Sequence, residues 1–579
     1  MLLAGTLARS PQSGDGGEIV IAALRGGVLH PPGFPLQAWL DRALVQLPGG
    51  EPALAIALLG LLAHAGACGL IAETLRLLGV GVAGQVLGAA AFALYTPMWS
   101  LAVQPEVFSL AHLLMAATLW ASVRVRMAAT HPAPPRALAG LGLLGALGAA
   151  QHPIALAAFP ALIAGVARGL RGAPRRGTRV VVFAAALVLP ATALYLSLPL
   201  LRTSSLWPDW GALRTPADVV RHVLREDYGT FALSASTGSN MESGLAVWIE
   251  DVAREWHVVL LLAAAGLVAL VRRRELRPAL APIAWTAMAG AVLLFVSRVP
   301  ELSYSREVLE HLQGPMALSG ALLIGLGTQA VQSFRATTAW RRGVAAGVAL
   351  VSIAWLVLGW PVADTSHDQT LTLFTRGVGL ELSDDMVYVT EGDAEAFMGA
   401  SAAGGIRYPV SQPLASLSWY ASYTAPRLEP RVLQNREAVD DWTRFLGACF
   451  SRGLAVGCTS PSLVETPAGT PELRGLLYVA RPGATEELTR FTVAGAVDLA
   501  PLAVQLPSLP GRGHAFSRFY VRRFARAYAG AGEALRRMGA TEIAAQADSI
   551  ADALNRGSPR AVRSELLTRF VADCRARGF

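Results

Sequence analysis

Two carboxylates three residues apart, Asp15 and Glu18, lie in a glycine-rich run near the start of the chain, Gly14-Asp15-Gly16-Gly17-Glu18. A long apolar region follows, so the pair is placed at the boundary of a membrane domain. A carboxylate in that position can act as a general base for a hydroxyl acceptor. The alternative is structural, because Asp15 would cap a helix beginning here and Glu18 would complete the capping box. The location of the pair ahead of a helical bundle favours the interpretation of the carboxylate as a general base.

Three further candidates stand at the ends of apolar segments. His30 opens the rigid turn His30-Pro31-Pro32-Gly33-Phe34-Pro35, where it could also simply bond to the backbone. Glu106 heads an apolar helix, so it should either face a polar cavity or cap that helix. His152, in Gln151-His152-Pro153, is more typical of a satisfied structural residue, although it is expected on the same side as the others. The amphipathic stretch Leu36–Leu47 could lie in the membrane interface.

The segment after residue 199 carries groups suited to a phosphate and a sugar. Arg202 stands at a predicted membrane exit, and a guanidinium offers forked donors to phosphate. Trp207 and Trp210 could stack on a sugar. The structural alternatives are an interfacial arginine that extends toward water and an aromatic belt.

The elements that must position these residues are mostly membrane helices. Among 579 residues, 53% are hydrophobic and 16% charged, with a mean hydropathy of +0.43, whereas soluble chains have about 25% charged residues. About ten stretches are long and apolar enough for spans. They lie near 53–75, 82–99, 103–121, 137–151, 153–167, 180–199, 257–272, 278–297, 315–331 and 343–361.

Charge placement predicts the orientation, since arginine-rich loops stay cytoplasmic. The loops rich in arginine alternate with loops that carry the acids, as the parity of the spans requires. They lie near Arg76, Arg124–Arg136, Arg168–Arg179, Arg272–Arg277 and Arg335–Arg342. The acidic segments, and everything after residue 362, should therefore be extracytoplasmic. Because residues 2–8 are too few to cross a bilayer, we expect that a first helix is missing through a mis-called start.

The chain after residue 362 has ordinary soluble composition. We expect a polytopic membrane domain over 1–362, an extracytoplasmic α/β domain over 363–510, which contains a buried strand at Met386–Thr390, and a helical hairpin over 511–579. Cys449 and Cys458 form a disulfide if that side is oxidising and the geometry permits it.

Several function classes are excluded by missing motifs. The sequence has no phosphate-binding GxxxxGK[ST] loop, no strand-borne GxGxxG, no HExxH and no nucleophile elbow, which argues against a soluble nucleotide as fuel. The net charge of +8 follows from the loop arginines, and no basic stripe with interleaved aromatics indicates nucleic acid. No cysteine spacing predicts a metal site.

The order of these motifs resembles one large bacterial family of multispanning proteins, long of unknown function, whose animal relative is a protein O-mannosyltransferase. The resemblance rests on Asp-x-Gly-Glu, His-Pro-Pro-Gly-Phe-Pro-Leu, Pro-Glu-Val-Phe, Gln-His-Pro, the arginine exit with its tryptophans, Asp-Tyr-Gly, and Glu391-Gly392-Asp393. Gly16 and Phe34 depart from the common Ser and Tyr. The family is similar to the GT-C glycosyltransferases, which use polyprenyl-phosphate sugars and invert the anomeric centre.

This resemblance implies a mainly α, GT-C-like helical bundle in a bacterial inner membrane, with its site on the extracytoplasmic face. It implies that Asp15 is the base and that Glu18 orients the acceptor or shares that role. Glu106 and His30 would line the cavity, and Arg202 would hold the donor phosphate. The implied partners are membrane lipid, a polyprenyl-phosphate sugar donor and a protein or envelope-glycan acceptor. No residue is assigned to a metal, although a divalent ion could help to stabilise the phosphate.

Two other classes remain open. A lipid-linked sugar flippase or other transporter would show repeated halves and helices broken near mid-membrane. The sequence shows no duplication, and its acids lie at helix mouths. A noncatalytic envelope assembly protein, in which the tail does the work, is the other alternative.

Overall fold

A computed structural model of the chain describes most of its residues. These are 2–12, 14–47, 50–128, 132–202, 210–226, 241–300, 305–335, 337–382, 386–390, 410–411, 420, 442–461, 471–480, 488–507, 514–556 and 564–579. Trp207, the Asp227-Tyr228-Gly229 run and Glu391-Gly392-Asp393 lie outside them.

The chain folds into two compact units. The first, called the membrane unit, comprises Met1–Leu7, Pro31–Leu201 and Val219–Ser366, and the second, called the C-terminal unit, comprises Ala8–His30, Arg202–Asp218 and His367–Phe579. The residues from Ala8 to His30 therefore pack with the end of the chain, although they stand near its beginning.

The helices up to residue 363 alternate with short breaks. They are α1 (Gly16–Arg25), α2 (Pro35–Val45), α3 (Pro52–Leu77), α4 (Val82–Ala93), α5 (Thr96–Ala102), α6 (Phe108–Met127), α7 (Pro135–Gln151), α8 (Phe159–Gly169), α9 (Arg176–Leu196), α10 (Leu198–Leu201), α11 (Pro216–Val223), α12 (Gly244–Glu255), α13 (Leu260–Arg272), α14 (Arg277–Val296), α15 (Ser305–Glu310), α16 (Gly314–Phe334) and α17 (Thr338–Ala363). A short antiparallel pair, β1 (Met241–Ser243) and β2 (Arg298–Pro300), joins two of the connections.

Six helical segments of the described chain are long and apolar enough to cross a membrane. They are Pro52–Leu77, Phe108–Met127, Arg176–Leu201, Arg274–Val296, Ser305–Phe334 and Thr338–Ala363. The count is seven if α12 and α13, bent by 107°, form one span. The mainly helical class is confirmed, and the ten predicted stretches include shorter helices such as α4 and α8. No residue of α9 is buried, which suits a lipid-facing apolar helix.

Two glycines bring the backbones of α13 and α16 into contact. A Cβ on Gly266 would lie 1.9 Å from the Leu323 carbonyl oxygen, and one on Gly327 would lie 1.8 Å from that of Leu262. Side chains cannot enter such gaps, so only glycine permits this approach. Close backbone contact of this kind is a main source of helix association inside membranes.

A buried group of charges joins α12 to α15. Asp251 is fully buried and accepts hydrogen bonds from Arg254, from Arg306 and, at 2.8 Å, from the Gln313 amide. Arg306 also donates to Glu310 at 3.0 Å. Pairing of this kind is what makes a buried carboxylate tolerable, because an unpaired charge loses its hydration without compensation.

The described residues of the C-terminal unit form a mixed five-stranded sheet. The strands are β3 (Met386–Thr390), β4 (Val410–Ser411), β5 (Ala455–Cys458), β6 (Glu472–Arg474) and β7 (Leu477–Ala480). Their order is β4-β3-β5-β7-β6, with β3 parallel to both neighbours and β7 antiparallel to both of its own. The predicted buried strand at Met386–Thr390 is confirmed.

Helices surround this sheet. They are α18 (Thr370–Glu381), α19 (Trp442–Ser451), α20 (Leu488–Ala503), α21 (Ala515–Arg537), α22 (Thr541–Asn555) and α23 (Ser564–Ala576). The apolar faces of α18 and of α20 to α23 share one core with strands β3, β5 and β7, in which Phe374, Tyr528 and Phe570 are buried. Cys449 and Cys458 are both buried with free thiols, so they form no disulfide in this structure.

Candidate active site

The two acids near the start of the chain take different surroundings. α1 begins at Gly16, directly after Asp15, and the Asp15 side chain makes no capping hydrogen bond. Glu18 is turned toward His30: one carboxylate oxygen accepts the His30 backbone N–H at 2.6 Å, and the other lies 2.8 Å from His30 Nδ1. The capping alternative for Asp15 is therefore not realised in the structure.

Two glycines after α1 allow the chain to turn back, so that His30 contacts Glu18. Gly26 and Gly27 have φ angles of 80° and 132°, a region that side chains disfavour. The chain leaves the helix there and folds back, which brings His30 against a carboxylate twelve residues earlier. Spacing along the sequence gives no sign of this contact, because it depends on the turn.

His30 lies between the two carboxylates. Its Nε2 is 3.8 Å from Asp15 Oδ2, on the opposite side of the ring from Glu18. The Glu18 side chain is 2% exposed and that of Asp15 is 43% exposed. Burial raises the pKa of Glu18, whereas the charge and hydrogen bonds of His30 oppose the rise. The arrangement is one accessible carboxylate beside an imidazole that a buried carboxylate holds in place.

Trp210 also lies against His30 within the C-terminal unit. Its ring meets the imidazole edge-on at a centroid distance of 6.0 Å, and its backbone N–H donates to the Val28 carbonyl at 3.2 Å. Arg202, predicted for the donor phosphate, donates to the Leu213 carbonyl at 2.9 Å. Its role toward phosphate stays a prediction, as does that of Trp207.

The side chains of Asp15, Glu18 and His30 together offer ligand atoms that suit a divalent cation. One ligand atom from each of Asp15, Glu18 and His30 lies within 4.8 Å of the others. Two carboxylate oxygens and an imidazole nitrogen are ordinary ligands of divalent metals. The group is also complete without one, since Glu18 and His30 already bond to each other.

The segment that leads to Asp15 is fixed to the start of α18. The Ser10 hydroxyl and the Gln12 amide donate to the Asp368 carbonyl at 2.6 and 3.1 Å. The Asp368 carboxylate accepts the Thr370 N–H and the Ser517 hydroxyl. Burial alone would raise the pKa of Asp368, but the bonds from neighbouring groups, His514 included, outweigh it and lower the pKa. The carboxylate bonds thus fix Asp368, and the Asp368 carbonyl holds the segment that leads to α1.

Glu106 and His152 lie in the membrane unit. Glu106 is buried two residues before α6 begins. His152 Nδ1 accepts the Ile154 N–H at 3.0 Å and so caps a short 3-10 helix, while its ring stacks on Phe34 at 5.2 Å and contacts Phe108. The structural alternative for His152 is thus realised, and a substrate-binding role for either residue stays a prediction.

A polar row in the membrane unit was missed from sequence. Gln37 and Asp41, one helical turn apart on α2, point inward and bond in series to Gln151. The amphipathic pattern of this stretch suggested a helix whose polar side faces water at the membrane interface. The available signal was the Gln–Asp pair at positions i and i+4, which could have marked an inward polar face.

Helices that are long and apolar enough to cross a membrane, joined to a small α/β unit, define a mainly helical integral membrane protein. Two solved structures of ArnT from Cupriavidus metallidurans share this fold. The form bound to undecaprenyl phosphate is 15% identical with a TM-score of 0.50, covering 80% of this chain and 91% of that one. The apo form is 14% identical with a TM-score of 0.52, covering 83% and 95%.

Sequence comparison then narrows the class. Residues 15–169 match the family model described as the Protein O-mannosyl-transferase TMEM260 N-terminal domain, so the match begins at Asp15 and includes Glu18, His30, Glu106 and His152. The mouse (Mus musculus) Protein O-mannosyl-transferase TMEM260 is 26% identical over 443 residues, which cover 73% of this chain and 62% of the mouse protein. The chain is thus similar in sequence to Protein O-mannosyl-transferase TMEM260 and similar in fold to ArnT.

Proposed function

We propose that the protein is a membrane glycosyltransferase that moves a sugar, of the mannosyl class, from a polyprenyl-phosphate donor to a hydroxyl group of a protein or envelope glycan. The observation that carries the proposal is the exposed Asp15 carboxylate beside an imidazole that buried Glu18 holds. The relatives agree with it, because the mouse protein is named an O-mannosyl-transferase and ArnT was solved with undecaprenyl phosphate.

In this mechanism Asp15 is the general base. The acceptor oxygen forms a bond to the anomeric carbon while its proton passes to the Asp15 carboxylate. The bond from that carbon to the phosphate oxygen breaks, and its electron pair leaves with the polyprenyl phosphate. Attack from the face opposite the leaving group inverts the configuration. His30 Nε2, 3.8 Å from Asp15, stabilises the protonated carboxyl group by accepting a hydrogen bond once the two approach.

The leaving phosphate needs positive charge or hydrogen-bond donors. Arg202 is the proposed phosphate ligand, because a guanidinium offers forked N–H donors that match phosphate oxygens and Arg202 follows α10 directly. A divalent cation, if bound, would be held by Asp15, Glu18 and His30 and would add positive charge for the phosphate.

The proposed location is the inner membrane of a bacterium, with the site on the extracytoplasmic face. The arginine-rich loops support this orientation, since positive loops remain cytoplasmic. Polyprenyl-linked sugars presented outside the cell need no soluble nucleotide, which agrees with the absence of nucleotide motifs from the sequence.

The test is transfer from undecaprenyl-phosphate mannose by the purified full-length chain, read by intact mass of a peptide or glycan acceptor. Asp15→Asn should lower kcat about 10²- to 10⁴-fold, because a general base contributes that much. Glu51→Gln is the matched control, since Glu51 is an exposed carboxylate before α3 with no capping bond. It should retain full activity.

Three outcomes would contradict the proposal. Equal activity of Asp15→Asn and wild type would remove Asp15 from the base role. Translocation of the lipid-linked sugar without any covalent product would identify a transporter. An envelope defect in a deletion strain, with neither transfer nor transport by the folded protein, would identify an assembly protein.

A further inference from the structure

The helix α2 buries polar side chains where a membrane unit ordinarily buries apolar ones. Its buried residues are Pro35, Gln37, Ala38 and Asp41, and the side chains of Gln37 and Asp41 are each 1% exposed. Leu36 and Leu40 on the adjoining side pack against an apolar cluster of α3 and α6. Burying an amide and a carboxyl group costs free energy unless both are hydrogen-bonded.

The hydrogen bonds of this row have a fixed direction. The Gln151 amide nitrogen donates to the Val107 carbonyl at 2.9 Å and to Gln37 Oε1 at 3.0 Å. The Gln37 amide nitrogen in turn donates to Asp41 Oδ1 at 2.8 Å. Because a carbonyl can only accept, the bond to Val107 fixes which end of the Gln151 side-chain amide is the nitrogen. The second bond from that nitrogen then fixes the orientation of the Gln37 amide.

This direction leaves two buried oxygens without partners among the described residues. They are Gln151 Oε1 and Asp41 Oδ2, both shielded from solvent. Gln151 itself is fully buried. Buried polar atoms in folded proteins nearly always have a partner, so two such atoms in one connected row call for hydrogen bonds from a ligand or a bound water.

We propose that this row, Gln37, Asp41 and Gln151, is a subsite for the hydroxyl groups of the donor's glycosyl unit. The inference rests on the proposed function. A sugar carries several neighbouring hydroxyls, so it can serve two separate oxygens at once, whereas the single reacting hydroxyl of a protein acceptor can serve only one. The row holds no arginine, lysine or histidine, so it offers a phosphate no cationic partner.

A hydroxyl group also fits either protonation state of Asp41. Burial raises the pKa of Asp41 to about 8, against a smaller opposing effect of the Gln37 hydrogen bond. At neutral pH the carboxyl is therefore mostly protonated and can donate, and above that pKa it can only accept. A hydroxyl both donates and accepts, so it pairs with Oδ2 in both cases.

The experiment compares the binding of undecaprenyl phosphate with that of its mannosyl, glucosyl and galactosyl derivatives to the purified full chain in detergent. Wild type should bind at least one glycosylated lipid about tenfold more tightly than the bare phosphate, which corresponds to one or two net hydrogen bonds. Asp41→Leu and Gln151→Met should abolish this preference while leaving affinity for undecaprenyl phosphate unchanged. Asp552→Asn, a change at an exposed carboxylate of α22, is the control.

A variant that only damages folding would lose affinity for both kinds of lipid. The ratio of the two affinities therefore distinguishes loss of the subsite from loss of folding. Asp41→Asn keeps an acceptor for Gln37 and gives a folded variant if Asp41→Leu is unstable, and it should reduce the preference. The subsite is overturned if wild type shows no preference for any of the three sugars or if the preference survives in these variants. Transfer activity in that case would leave the proposed function intact, whereas loss of binding to every lipid by folded wild type would overturn both.

Discussion

The chemistry proposed for Asp15 depends on the imidazole beside it. A neutral histidine has one N–H and one lone pair, and the partner of one nitrogen decides what the other presents. Glu18 lies 2.8 Å from His30 Nδ1; with His30 neutral and Glu18 ionised, the N–H is directed to Glu18 and the lone pair of Nε2 toward Asp15. In the proposed mechanism Glu18 would therefore act through His30, as a positioning residue.

Glu18→Gln is expected to reverse this arrangement. A glutamine amide can still accept the His30 backbone N–H, but its nitrogen would donate to Nδ1 and move the ring proton to Nε2. We expect kcat to fall about 10²-fold with little change in donor KM or thermal stability. Steady-state kinetics together with the nitrogen chemical shifts of His30 would measure both effects. Wild-type kcat in a variant with the reversed tautomer would contradict the positioning role.

Asp41 should make folding stability depend on pH. An unfolded aspartate ionises near 3.8, whereas the pKa of buried Asp41 is raised to about 8. Between these values the folded chain holds a proton that the unfolded chain has released, so stability is greatest below the lower value and falls as pH rises toward the upper one. The raised pKa of Glu18 acts in the same direction.

The side chain introduced by Asp41→Asn cannot ionise, so the variant should not lose stability through ionisation at this position as pH rises. We expect it to be more stable than wild type at pH 8, by an amount on the order of 5 kcal/mol, and nearly equal to wild type near pH 4. Thermal unfolding in detergent at both pH values, with Glu51→Gln as the exposed control, would test this. An unchanged difference between wild type and variant across the range would show that Asp41 is ionised in the folded state. A more stable variant that binds donor less well would also fit a carboxyl retained for a ligand.

At the scale of elements, the contact of α13 with α16 offers the sharpest test of helix packing. Gly327 and Gly266 are the positions where backbone meets backbone. An alanine at Gly327 would place its Cβ 1.8 Å from the Leu262 carbonyl oxygen, so the helices must separate. Gly343, in α17, is the matched control, because a Cβ there meets nothing within 4 Å.

Gly327→Ala is therefore expected to lower stability by about 1–3 kcal/mol through overpacking. Gly343→Ala should leave stability unchanged or raise it, since alanine favours helix by up to about 1 kcal/mol. Thermal unfolding of the two variants in the same detergent would measure the difference. Equal stabilities would mean that α13 and α16 do not touch at Gly327.

The sequence predicted elements better than it predicted which way their side chains face. The strand Met386–Thr390 followed from a local pattern, because an apolar run is a short-range signal. The hairpin predicted over 511–579 differs from the structure, which has helices α21, α22 and α23 among the described residues of that region. The inward row on α2 did not, because periodicity locates a polar face without saying what it packs against. The Glu18–His30 contact also escaped prediction, since it depends on a turn after α1 rather than on spacing.

For the whole molecule, composition and the order of motifs predicted the helical membrane class and the resemblance that the comparisons support. The number of long spans was harder to predict. Six helices qualify in the described chain, or seven with the bent pair, because several apolar stretches are divided by breaks near residues 94 and 152. Hydropathy measures the apolar length of a stretch but does not reveal where the backbone turns within it.

Orientation in the membrane remains a prediction at this scale, and it decides which substrates reach the site. The loop around Arg171 contains several arginines and few acids, so it should be cytoplasmic. The region after residue 362 should be extracytoplasmic. Arg171 and Asp552 are both exposed in the structure, one in that loop and the other on α22, so each can carry a reporter cysteine.

A membrane-impermeant thiol reagent applied to intact bacterial spheroplasts should label Asp552→Cys and leave Arg171→Cys unlabelled. Permeabilised cells should label both, because the barrier to the reagent is then removed. The wild-type chain is the control for its own cysteines, three of which are buried and one partly so. Labelling of Arg171→Cys alone in intact spheroplasts would reverse the orientation. It would place the C-terminal unit in the cytoplasm, where nucleotide sugars rather than externally presented lipid-linked sugars are the available donors, and the lipid-linked donor would lose its topological support.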